Sequence, residues 1–147
     1  MKRPDQDELE KYARDYKEID PKLQDFCNRN NFDLEINAFR QPCRLLRRKG
    51  NPHFLIDISL SGYWREIPFE KNMPHSITAI AYYEPETGQF VWKLARELAS
   101  KIPFSILEEK LDEYLEKACA EINQLTPTLI MEHGERMENL KRIYNVS

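Results

Sequence analysis

The feature that most constrains the fold is a change of hydrophobic period at Phe32. From Phe32 to Ala38 the apolar residues occupy every second position, and the same alternation runs from Phe54 to Leu60. Successive side chains of a β-strand point to opposite faces of a sheet, so this period predicts strands with one buried face. We expect an antiparallel sheet of about five strands in residues 32–98. The segment 91–102 fits either a strand or a helix, since its apolar residues also recur at helical spacing.

Helical spacing of three and four residues dominates on both sides of this region. It predicts an N-terminal helical segment over 5–29, where Asp20-Pro21 leaves open one kinked helix or two helices in series. Ser105 and Glu108 fit a capping box that opens a helix over 105–125, and Thr126-Pro127 fits the start of another helix over 127–144. The sequence therefore predicts a single α+β domain over 1–147, with these helices packed on the sheet.

Composition narrows the class of protein. The chain has 147 residues with 22 basic and 25 acidic side chains, a formal charge of -3, which argues against a surface that coats nucleic acid or an anionic membrane. Its three cysteines are far apart in sequence and form neither a disulfide framework nor a paired metal motif. No apolar signal-peptide core and no stretch of about twenty apolar residues occurs. We expect a soluble cytoplasmic protein without membrane association.

No catalytic, metal or cofactor motif is present. The three histidines lie in separate segments without ligand spacing, and the four glycines are too scattered for a phosphate-binding loop, so we expect neither a metal nor a cofactor. The weak catalytic candidates are Asp57, Glu66 and His75. Carboxylates that converge in a cavity could act as an acid and base pair, but the favoured interpretation is that Asp57 and Glu66 lie on the wet face of a sheet. The sequence thus leans away from an enzyme without deciding the question.

Residues 40–49 form a basic segment with five positive charges and no acid: Arg40, Arg44, Arg47, Arg48 and Lys49. Near aromatic residues, such a segment could bind RNA or single-stranded DNA, but the sequence has no RNA-recognition motif. A basic edge that faces solvent or a protein is favoured, and nucleic acid is a lower alternative. Positive neighbours also suggest a lowered pKa for the thiol of Cys43.

The hairpin in residues 75–94 carries aromatic residues on both strands. A five-residue loop from Glu84 to Gly88 would place Tyr82 opposite Phe90, and Ile80 opposite Trp92. The other face would carry Ile77, Ala79 and Ala81, whose small side chains let a helix approach closely. We predict that the helix after Ser105 packs on this alanine face and that the cover of the aromatic face is the open question.

Two function classes remain. The favoured one is a protein–protein interaction module of the adaptor, chaperone-like or immunity-like kind, which also self-associates, with a homodimer as one form. Its partner is unknown, and its candidate interaction residues are Tyr82, Phe90, Trp92, Arg44, Arg47 and Arg48. The alternative is a small-ligand-binding protein or enzyme with a pocket between a curved sheet and the helices.

Overall fold

The computed structural model describes residues 6–49, 53–60, 73–83 and 92–144. It shows an α+β fold around an open, five-stranded antiparallel sheet in which every strand pairs with the next one along the chain. The strands are β1 (Phe32–Ile36), β2 (Cys43–Arg48), β3 (His53–Leu60), β4 (His75–Tyr83) and β5 (Trp92–Ile102). This confirms the predicted fold class, and it shows that the segment left open between strand and helix is strand β5.

The helices are α1 (Gln6–Tyr12), α2 (Tyr16–Asn30), α3 (Phe104–Glu109) and α4 (Leu111–Tyr144). Helix α2 packs on β1 and β2, and α4 packs on β3, β4 and β5. Both bury their apolar stripes against the same side of the sheet, which we call the covered face. The opposite side, the distal face, carries alternate residues of each strand, among them Glu35, Leu45, Arg47, Asp57, Thr78 and Tyr82.

The alanine side of β4 is the main part of the covered face that α4 contacts. Ile77, Ala79 and Ala81 are fully buried and share one core cluster with Leu111 and Ala118 of α4. Small side chains on a strand let a helix axis come close to the sheet, and the predicted packing of this helix is confirmed.

The predicted register of the β4–β5 hairpin is wrong by three positions. Trp92 pairs with Tyr83 rather than with Ile80, and Tyr82 pairs with Lys93. Because the shift is odd, the register position of Trp92 belongs to the covered face and not to the face of Tyr82. Phe90 lies outside the described residues. Alternation identifies the two faces of each strand, but it does not decide which residues stand opposite each other.

The helix boundaries also differ from the prediction. The N-terminal break falls at residues 13–15, and α2 runs through Pro21. In the C-terminal region the chain breaks at Lys110, and α4 then continues through Pro127, which was expected to start a new helix. Pro127 is exposed, so solvent can compensate for the backbone hydrogen bond that its missing N–H removes. Ser105 lies inside α3, whose start has no side-chain cap.

None of the helices in the described ranges has both the length and the apolar character needed to cross a lipid bilayer.

Candidate functional site

Two of the three candidate catalytic residues, Asp57 and His75, lie on opposite faces of the sheet. Asp57 of β3 pairs with Thr78 and lies on the distal face, whereas His75 of β4 lies on the covered face and is 1% exposed. Glu66 falls outside the described residues. Because the sheet separates Asp57 from His75, these two groups cannot act as an acid and base pair on one substrate.

His75 belongs to a buried group of ring side chains. Its Nδ1 lies 2.8 Å from Oη of Tyr16, and the rings of Tyr16 and Phe104 contact it edge-on with centroids at 5.2 and 5.7 Å. Its Nε2 is buried without a hydrogen-bond partner in the described part of the chain. Burial lowers the pKa of His75 to about 4, so the ring is neutral at pH 7.

Arg44 is a buried structural cation. It is 2% exposed, and its Nε and Nη2 donate to the two carboxylate oxygens of Asp20 at 2.7 and 3.0 Å. Its Nη1 donates to Oδ1 of Asn37 at 3.2 Å and to the carbonyl of Cys43 at 3.0 Å. Its guanidinium also lies 5.4 Å from the centre of the Tyr16 ring. In this fold Arg44 is too deeply buried to contact a partner, contrary to the sequence-based prediction.

Arg47 and Tyr82, two other predicted interaction residues, meet on the distal face. Nη1 of Arg47 donates to Oη of Tyr82 at 2.7 Å, and its Nε and Nη2 face the carboxylate of Glu35 at 3.3 and 3.4 Å. The three partly exposed side chains link β1, β2 and β4 across this face. Since α2 and α4 pack on the covered face, neither of these helices covers Tyr82.

The basic segment 40–49 does not form one surface. Strand alternation puts Arg44 and Arg48 on the covered face and Arg47 on the distal face. The guanidinium of Arg48 lies 5.0 Å from the ring centre of Phe54. Several of the charges are bound to carboxylates, in the pairs Arg44–Asp20, Arg47–Glu35 and Lys49–Asp33. Because phosphate binding depends on cations that are free to displace counterions, this arrangement gives nucleic-acid binding no support.

The thiol of Cys43 does not have the lowered pKa that its positive neighbours suggested. It is buried, and burial raises the pKa of its thiol to about 11. Its Sγ donates to the carbonyl of Ala38 at 3.6 Å, and the charge of the neighbouring Arg44 is already bound by Asp20.

The turn between β1 and β2 carries the most exposed aromatic residue among the described side chains. Phe39 is 78% exposed, and Ile36, the last residue of β1, is 59% exposed. The backbone φ angles of Asn37, Phe39 and Arg40 are 53°, 57° and 57°. This left-handed region is rarely occupied by bulky residues and costs about 1–2 kcal/mol for each. A turn with two adjacent bulky residues in that region must be held in place by other contacts.

Hydrogen bonds at the base of the turn hold it. The N–H of Asn37 donates to the carbonyl of Cys43 at 3.0 Å, and the N–H of Cys43 donates to Oδ1 of Asn37 at 3.3 Å. The N–H of Gln41 donates to the carbonyl of Ala38 at 3.2 Å. Since Arg44 also donates to Asn37, the turn is attached to the buried ion pair, and Phe39 lies at its exposed tip.

Sequence reasoning missed Phe39. The alternation from Phe32 predicted that the strand reaches Ala38, but β1 ends at Ile36. The available signal was local, because Asn37 tolerates the left-handed conformation and Pro42 cannot continue a ladder as a donor.

An open cleft of about 620 Å³ lies between α2 and α4. This size falls within the range of small-molecule sites. This cleft is not the predicted pocket between sheet and helices, since all of its lining residues belong to α2 and α4. Its apolar floor includes Phe26 and Leu115, and the polar residues of its lining are Lys22, Asp25, Arg29, Asn30, Asp112, Glu116 and Cys119.

In the part of the chain that the structure describes, no three His, Cys, Asp or Glu residues are grouped so that they could hold a metal ion. No protein-family model matches the sequence, and neither the curated proteins nor the solved structures contain a significant match.

Proposed function

We propose that this chain is a cytoplasmic protein–protein interaction module, of the adaptor, chaperone-like or immunity-like kind, and that it binds its partner through the β1–β2 turn. The observation that carries the proposal is the presentation of Phe39, which is 78% exposed on a backbone with φ 57° and ψ 25°. The left-handed backbone at Phe39 lowers the stability of the fold while it keeps an aromatic side chain exposed to solvent. Such a conformation is suited to binding rather than to stability.

The energetics of an anchor side chain support this role. Full burial of a Phe side chain in a partner contributes about 1.5–3 kcal/mol from the apolar area removed from water. An ordered turn adds to this, because less conformational entropy is lost when it binds. The hydrogen bonds from Asn37 and Cys43 provide that order before a partner arrives.

The surroundings of Phe39 indicate the chemistry of the partner surface. Ile36 extends the apolar contact, and Arg40 is exposed without a carboxylate partner in the described part of the chain. A complementary surface therefore has an apolar pocket for Phe39 with an acidic group at its rim for Arg40.

Affinity capture from the source organism tests this proposal when it compares variants. The baits are the wild-type chain, Phe39→Ser and the control Lys117→Ser, whose side chain is exposed on α4 and forms an i,i+4 pair with Glu113. We expect a protein that the wild type and the control retain equally and that Phe39→Ser loses at least about tenfold. Equal retention by all three baits would show that binding does not use the turn.

A second candidate function rests on the α2–α4 cleft, namely the binding of a small zwitterionic molecule. Helix α2 contributes Lys22 and the ion pair Arg29–Asp25 to the lining, which leaves this wall one net positive charge, while α4 contributes Asp112 and Glu116. A thermal-shift screen with amino acids and other zwitterionic metabolites tests it. A rise in melting temperature that Glu116→Gln reduces would support this function. If no compound raises the melting temperature, this function is contradicted.

A further inference from the structure

Strand β5 is an unusually long edge. It has 11 residues, and no other described strand pairs with the side that faces away from β4. Ala95, Arg96 and Glu97 at its middle are exposed. An edge of this kind presents a row of backbone donors and acceptors that can pair with another strand.

The two halves of β5 differ in how they are protected. In the C-terminal half, Leu98 is an extra residue in the ladder to β4, and Lys101 has a φ of 54°. Such bulges interrupt pairing and occur at edges for that reason. From Trp92 to Glu97 the ladder is regular. The regular half can therefore pair with another strand, whereas the bulges in the C-terminal half hinder such pairing.

We propose that this half of β5 pairs antiparallel with β5 of a second copy of the chain, around a two-fold axis at Ala95. The axis is perpendicular to the sheet, so the covered faces of both copies lie on one side and the two sheets join into one. Glu97 shares the distal face with Tyr82 and Thr78, and Lys93 occupies a register position on that same face. Pairing around Ala95 puts the Lys93 position of each copy opposite Glu97 of the other.

Charge complementarity selects this register from its neighbours. An axis at Lys93, Arg96 or Glu97 would put each of these residues opposite its own copy, which brings like charges together. An axis at Leu94 would put Lys93 opposite Ala95 and form no oppositely charged pair. Only the axis at Ala95 gives two opposite-charge pairs with no like-charge pair, and it puts the small Ala95 at the centre.

Sedimentation velocity across a dilution series tests the pairing. We expect a wild-type dimer that dissociates on dilution. Lys93→Glu and Glu97→Lys should each raise the dimer Kd by about tenfold or more, because each creates two like-charge pairs. The double variant Lys93→Glu/Glu97→Lys should restore the wild-type Kd. Arg96→Gln is the matched control on the same strand, and it should leave the Kd unchanged.

Mixing the two single variants gives the sharpest result and also reports on their folding. Neither variant dimerises well alone, but in a mixture every charge at the interface meets its opposite, so a heterodimer should form. A wild-type chain that stays monomeric at all concentrations would overturn the proposal. A dimer that both single variants keep, or a mixture that yields no heterodimer, would overturn it equally.

Discussion

Arg44 of β2 and Asp20 of α2 form a bidentate ion pair, with Nε–Oδ1 at 2.7 Å and Nη2–Oδ2 at 3.0 Å, in which the arginine is 2% exposed. The guanidinium contacts Asp20 and the ring of Tyr16 in α2, and it also donates to Asn37 in the β1–β2 turn. The proposed interaction site is thus connected to the core through one buried cation.

Removal of Asp20 should destabilise the fold strongly. In Asp20→Ala a buried guanidinium keeps its charge without a counter-ion, and we expect a loss of about 3–5 kcal/mol in the free energy of unfolding, measured by urea denaturation. The control is Asp25→Ala, which breaks the exposed pair with Arg29 and should cost less than about 1 kcal/mol. Similar losses in both variants would contradict the structural role of Arg44.

Replacement of both partners should be far milder. In Arg44→Met/Asp20→Leu no charge remains unpaired, so most of the loss seen in Asp20→Ala should be recovered. Asn37 then loses its contact with Arg44, and partner binding should weaken although the fold is stable. A double variant as unstable as Asp20→Ala would show that the ion pair itself, not the orphaned charge, governs stability.

Phe39→Asn should stabilise the isolated chain. Asn adopts the left-handed conformation readily, and the exposed phenyl ring buries little area, so we expect a gain of about 0.5–1 kcal/mol in urea denaturation. Phe26→Ala is the contrasting core variant and should lose about 3–5 kcal/mol. A loss of stability in Phe39→Asn would mean that the ring supports the fold.

His75 should make the protein sensitive to acid. Its pKa is about 4 in the folded chain against 6.5 in the unfolded chain, so the unfolded state binds more protons between these pH values. Stability is therefore lost as pH falls from 6.5 towards 4, by about 3 kcal/mol in total. His75→Gln keeps a hydrogen-bonding side chain without this titration and should flatten the acid limb of a plot of unfolding free energy against pH. An unchanged acid limb would rule out His75 as its source.

The three thiols should differ in their rates of modification at neutral pH. Cys27 and Cys43 are buried with pKa values raised to about 11, and burial also raises the pKa of Cys119, which is half-buried and lines the α2–α4 cleft. In labelling with a thiol reagent Cys119 should react first, while Cys27 and Cys43 should react only on unfolding. Rapid native labelling of Cys43 would contradict its burial. A ligand in the cleft should slow the labelling of Cys119.

The sequence predicted the architecture because hydrophobic period determines which face of each element is buried. Ala79 and Ala81 indicated where α4 packs, since the sequence alone shows that their side chains are small. Pairing between elements was harder. The register of Trp92 with Tyr83 depends on the length of a loop, and the continuation of α4 through Pro127 depends on tertiary context that overrides local preference.

The candidate site was predicted only in part, for a related reason. The charge pattern of residues 40–49 does not show that Arg44 of β2 is buried against Asp20, because Asp20 lies in α2, far away in the sequence. Phe39 looked like one more apolar residue at the end of a strand. Its exposure follows from three left-handed residues in the turn, which no periodicity reveals.

The central claim is that the partner contacts Phe39, and site-specific photocrosslinking measures this contact directly. p-Benzoylphenylalanine replaces Phe39 in one chain and the exposed Lys117 in a control chain, and both are irradiated in the source organism. We predict a discrete crosslinked adduct at position 39 only, with the crosslinked partner peptide in an apolar, acid-rimmed pocket. No adduct at position 39, or the same adducts at both positions, would contradict the account.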